Sequence, residues 1–215
     1  MSDRSVARGE SRPLVIACGA LVSELRAVLA ATGLDDVAEV RYLPAALHNR
    51  PERLPDEVRA VLADAEAAEA GRTVLLAYGD CGTGGGFDRL LEAMPNVRRL
   101  PGAHCYEFFA GSASFHAEHE AELGTFFLTD FLAKHFDALV WQGLGLDRHP
   151  HLRDLYFGNY RRVLLLTQSG DRAVVEAGQS AAARLGLAFE LHRTGLDHFA
   201  AAVQVGIRTK TEEAA

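Results

Sequence analysis

This chain has little cysteine, little positive charge and no long apolar run. Of its 215 residues only 3 are Cys, 1 is Trp and 2 are Met. Three dispersed thiols, odd in number, exclude a disulfide framework. The 22 Lys and Arg are outnumbered by 29 Asp and Glu, for a net charge of −7. That balance lacks the basic footprint of a nucleic-acid binder. No stretch approaches the roughly 20 apolar residues of a membrane span. The polar first ten residues have no apolar centre of the kind a signal peptide carries. Together these absences predict a cytoplasmic protein that acts on a small molecule and has neither nucleic acid nor membrane as a partner.

Hydrophobic residues are plentiful, at 48%. That is enough for the core of one large domain or two small ones. Apolar runs at 13–18 and 73–78 read as buried strands, and 37–43, 97–100, 162–167 and 187–192 as further strands. Helical spacing joins Leu21, Leu25, Val28 and Leu29, with Gly33 as the stop. It recurs from Leu54 to Ala65, over 87–94, over 105–122, over 172–185 and beyond Leu196. Residues 123–160 read as less regular. Strand–helix alternation implies right-handed crossovers and mainly parallel sheets with helices on both faces, an α/β Rossmann-like fold. The expected organisation is a single domain over 13–208, with pseudo-equivalent halves at 13–104 and 105–208. Polar tails are expected at 1–12 and 209–215.

Each cysteine sits just after or beside a predicted strand: Cys18 before a glycine, Cys81 in a glycine-rich turn, Cys105 after His104. Parallel strands bring their carboxyl ends to one edge, where ligand sites are built. Three thiolates meeting there would bind zinc, with His48 or His104 as a fourth ligand. They would equally suit an iron–sulfur cluster with one iron open to substrate. Buried structural thiols, or a single Cys81 nucleophile with loop amides as an oxyanion hole, are the competing readings.

Around the thiols stand Tyr78, Glu24, His48 and Asn49, each able to contact a ligand or orient a thiol. The turn of Gly79, Gly82, Thr83 and Gly84 follows a strand and precedes a helix, a setting for anion binding. It lacks the Lys-Ser/Thr of a P-loop. His116, His119, His149 and His151 read as surface residues. Tyr156, Phe157 and Tyr160 read as packing.

Taken together, Cys18–Leu21 with Glu24, Leu47–Asn49, Tyr78–Gly82, His104–Cys105 and Gly124–Thr129 resemble the DUF1638 family of bacteria and archaea. Gly145–Pro150, Tyr156–Tyr160 and Leu166–Ser169 extend the resemblance, which covers roughly residues 13–200. It implies that the three cysteines form a family pattern. Many members carry Asp between the His and Cys of the third motif, where this chain runs Ala103–His104–Cys105. The family's association with corrinoid-dependent methyl transfer implies one-carbon or methylamine metabolism. The chain would then be either a metal-using enzyme or an accessory to a corrinoid methyltransferase.

Overall fold

A computed structural model describes residues 12–68 and 70–207. The tails expected at the two ends lie almost wholly outside the described residues. Two all-parallel sheets organise the chain. The first runs β2-β1-β3-β4, from β1 (Leu14–Cys18), β2 (Glu39–Leu43), β3 (Val74–Ala77) and β4 (Val97–Arg99). The second runs β5-β6-β7, from β5 (Thr125–Thr129), β6 (Arg162–Thr167) and β7 (Ala188–Arg193). The α/β Rossmann-like class expected from the alternation is the one observed.

The central strands are uniformly apolar because both faces are covered. Every residue of β1, β3 and β6 is buried, as expected for parallel strands between helical layers. In the first sheet the chain leaves β1 for β2 on one side, then returns past β1 to β3 and β4. Right-handed crossovers therefore place α1 (Val22–Thr32) on one face. They place α2 (Leu54–Ala68) and α3 (Gly86–Leu91) on the other, and α2 packs on α3. The strand order reverses between β1 and β3, so their carboxyl ends flank a topological switch point.

Two stretches depart from the sequence expectation. Residues 105–122 form two helices, α4 (Cys105–Ala110) and α5 (Ser112–Ala121), because Gly111 has φ 76° and ψ 144°. Glycine adopts that backbone at no steric cost. The second departure lies in 123–160, where Thr125–Thr129 is a full strand pairing residue for residue with Arg162–Leu166. After it come α6 (Asp130–Lys134), a π-helical turn at Asp137–Trp141 and α7 (Leu152–Phe157).

The second sheet carries α6 and α8 (Arg172–Leu185) packed against each other, while α4 contacts β6. The last helix, α9 (Asp197–Ile207), leaves this sheet and packs on β3, α1 and α4. Phe199, Val203 and Ile207 join the same core as β1 and β3. Phe199 stacks on Phe108 of α4 at 6.2 Å and meets Phe109 edge-on at 5.4 Å. Gly206 sits so close to β3 that a Cβ there would meet Leu75 Cδ1 at 2.5 Å. We expect Gly206→Val to overpack this seam and cost about 1–3 kcal/mol. The urea midpoint should fall accordingly, and an unchanged midpoint would show that α9 is not tightly seated.

Candidate functional site

The three cysteines come from three strand ends around the switch point. Cys18 is the last residue of β1, Cys81 lies four residues past β3, and Cys105 opens α4 after β4. Two glycines let these segments nest. A Cβ at Gly19 would lie 3.0 Å from the Leu43 carbonyl oxygen and 3.3 Å from the Ala45 nitrogen. One at Gly79 would lie 2.9 Å from the Gly102 oxygen and 3.0 Å from the His104 nitrogen. The second approach zips the loops after β3 and β4 together: Asp80 N–H donates to the Gly102 carbonyl at 3.0 Å, and Cys81 N–H to the Ala103 carbonyl at 2.8 Å. Cys81 is the one non-glycine residue with positive φ among the described residues, at 50°. Such a backbone is uncommon for a residue with a Cβ and marks a site worth explaining.

Cys18 and Cys81 are buried and Cys105 is half-buried; all three are free thiols. The Cys18 sulfur accepts from Ala20 N–H at 3.3 Å and lies 3.7 Å from His48 Nδ1. His48 in turn has Nδ1 3.2 Å from the Ala45 carbonyl. Burial raises the Cys18 thiol to about 11 despite the Ala20 amide. Cys81 is raised to about 12 by burial and by the neighbouring Cys18, although the Gly79 and Cys105 amides oppose this. Cys105 is raised well above the ordinary thiol value by burial, then by Cys81 and Cys18. Each thiol is thus within electrostatic reach of the other two, and burial favours the neutral form of each. Among the described residues no three His, Cys, Asp or Glu side chains are arranged to hold a metal ion.

Tyr78 completes the floor. Its ring is 1% exposed, stacks with His48 at 6.2 Å and tilts against Phe87 at 5.5 Å. His48 and Asn49 are both exposed. His104 caps the start of α4 by position without a side-chain bond, and lies 5.9 Å from the Tyr106 ring. Burial lowers its pKa, while Asp80 and Glu107 pull the other way. Glu24 is buried in the first turn of α1. Burial raises its carboxyl, and Asp130 adds to that while its own backbone amide and Lys134 oppose it. Since Asp130 and Lys134 belong to α6, Glu24 marks where the carboxyl edges of the two sheets meet.

The glycine turn already holds an anion of its own. Asp80 accepts from Thr83 Oγ1 at 2.6 Å, Gly85 N–H at 2.7 Å and Gly84 N–H at 3.0 Å. The amides of Gly84 and Gly85 and the Thr83 hydroxyl are therefore spent on an internal carboxylate. Glu107, which sequence reasoning passed over, does the same for the next loop. It accepts from Ala103 N–H at 2.9 Å and Ser112 Oγ at 2.7 Å, at 9% exposure. A glutamate two residues after the first residue of a helix, reaching back to an amide before it, resembles half a capping box. That spacing from Cys105 was the available signal.

A parallel α/β protein with thiols gathered at its switch point is the class these features define. The chain belongs to the DUF1638 family, described as protein of unknown function, which matches residues 42–203. That span holds His48, Cys81 and Cys105 and begins after Cys18. No curated protein matches the chain. Among the described residues no helix is long and apolar enough to cross a membrane.

The Asp80 interactions set a pH expectation. Burial pushes its carboxyl up, but the bonds from Thr83, Gly85 and Gly84 and the charge of Arg99 outweigh this and leave its pKa lowered. A depressed carboxyl stabilises the fold above its unfolded value, near 3.9, and that contribution disappears as pH falls through the folded value. Asp80→Asn should therefore cost on the order of 1 kcal/mol at pH 7. Denaturation at pH 7 and pH 3 checks this; a gap that does not narrow at the lower pH would contradict it.

Proposed function

We propose that this protein binds a soft metal, zinc or an iron–sulfur cluster, through Cys18, Cys81 and Cys105. The observation that carries the reading is the convergence of three free thiols from separate strand ends on the switch point of a parallel sheet. Soft thiolate donors favour zinc and iron–sulfur clusters. In the described conformation they do not form a ligand set, so loading requires the thiols to lose protons and close inward. His48, beside Cys18, and His104, before Cys105, are the neighbours available to support them. When bound, such a centre supplies Lewis acidity to a substrate held at its open position.

The family resemblance extends the proposal to one-carbon or methylamine chemistry, with a corrinoid methyltransferase system as the partner. A metal-free Cys81 nucleophile has less support. Activated thiols sit beside a cation or an imidazolium, whereas burial, Cys18 and Asp80 push the Cys81 thiol up.

Protein prepared without oxygen should carry about one zinc, or several irons with a visible absorption, per chain. Cys18→Ser, Cys81→Ser and Cys105→Ser should each abolish retention. Zinc titration should release protons, and apparent affinity should rise with pH through neutrality because the raised thiols must be deprotonated. A wild-type protein that takes up neither zinc nor iron under these conditions would sink the proposal.

A further inference from the structure

Strand β7 ends the second sheet with an exposed edge. The other end strands, β2, β4 and β5, expose no residue, whereas β7 exposes Ala188, Glu190, Leu191 and Arg193. An open edge is a template for another strand, and folds blunt it with lysine, proline or a bulge. β7 has none of these. It runs residue for residue beside β6, from Ala188 against Arg162 to Arg193 against Thr167. Its backbone has a definite outward set. Ala188 N–H donates to the Arg161 carbonyl at 3.1 Å and Thr194 N–H to the Thr167 carbonyl at 3.0 Å. Even-numbered residues thus turn their amides toward β6, and Phe189, Leu191 and Arg193 turn theirs to the open edge. The side chains also alternate between faces. Glu190 pairs with Arg162, and His192 Nδ1 lies 3.4 Å from Glu118 Oε1 on the α5 side. Phe189 packs close to Gly178 of α8, which puts Leu191 and Arg193 on the α8 side.

We infer that this edge is a homodimer interface: β7 pairs antiparallel with β7 of a second copy, with Leu191 on the two-fold axis. Two three-stranded sheets then become one sheet of six strands. A two-fold contact brings the same patch together from both sides, so the strand must complement itself. Opposed residues must also share a face, which leaves Glu190, Leu191 or His192 for the axis near the strand's centre. Glu190 there would oppose two carboxylates, which destabilises a pair. His192 there would oppose two imidazoles and leave Glu190 facing Thr194. Leu191 there satisfies every position. The two Leu191 residues exchange their outward N–H···O bonds and meet as an apolar pair. On either side Glu190 faces His192 of the second copy, at the closer, non-hydrogen-bonded positions of the ladder. Beyond them Phe189 faces Arg193 of the second copy, an aromatic ring against a guanidinium. The strand's own order of acid, leucine and imidazole therefore selects a second copy as the occupant and fixes the register. This inference is independent of the metal reading.

Sedimentation equilibrium of the full chain at micromolar concentration should give twice the chain mass. Leu191→Lys sets two ammonium groups against each other on the axis and should weaken the dimer by about 100-fold or more. Leu191→Cys reads the register on a variant with a small, uncharged replacement. Hydrogen-bonded pairs hold their Cα atoms about 5.5 Å apart, a span that a disulfide bridges. Mild oxidation should therefore convert Leu191→Cys to a covalent dimer on a non-reducing gel. Leu155→Cys, at the 75% exposed Leu155 of α7, should stay monomeric on that gel. A monomeric wild type would overturn the inference. So would a dimer that survives Leu191→Lys undiminished, or one that Leu191→Cys does not cross-link, since the copies would then meet elsewhere or in another register.

Discussion

Everything at the candidate site depends on backbone meeting backbone without side chains between. At Gly79 the loop after β3 lies against the loop after β4, and at Gly19 the end of β1 lies against the start of the turn after β2. A methyl group at either position would sit at or below 3.0 Å from main-chain atoms. Main chain cannot step aside as a flexible side chain can. The two contacts convert three separate strand ends into one surface, and only that surface gives the cysteines a common neighbourhood.

The charge distribution of this surface is the reverse of an anion site. Asp80 and Glu107 place carboxylates on the loop amides, and the Arg99 side chain answers Asp88 and the Leu100 carbonyl. Arg99 also lies within electrostatic reach of Cys81, but burial is the largest influence on every thiol, and Cys18 adds to it at Cys81 and Cys105. Such an environment favours the neutral form of the sulfurs.

Much of this was legible in the sequence. Strands β1, β3 and β6 are buried on both faces, so they appear as apolar runs, and Gly33 ends α1 with the left-handed backbone its position predicts. The placement of the cysteines at strand ends followed from those same runs. Strand β5 was hidden because its five residues begin and end in threonine, which leaves too short an apolar core to read as a run. The break at Gly111 was hidden because a single glycine inside a helical pattern carries no record of its ψ. The parts of the site that escaped are those made by tertiary approach. Asp80 and Glu107 look like surface acids in the sequence, and only the loop closures show that they hold amides. Gly79 and Gly206 likewise look like any other glycines until their neighbours are known.

The return of α9 to the first sheet has a consequence for how the molecule is made. Strands β1 to β4 are complete by residue 99, yet one of the helices that cover them runs from Asp197 to Ile207. Closing that face requires a chain excursion of about a hundred residues, and such long-range closure is slow compared with local pairing. During synthesis the first sheet must therefore wait, partly uncovered, while the second is built. Cys18, Cys81 and Cys105 all precede α9 in the chain, so the segments that carry them are made before the helix that completes the first sheet's core.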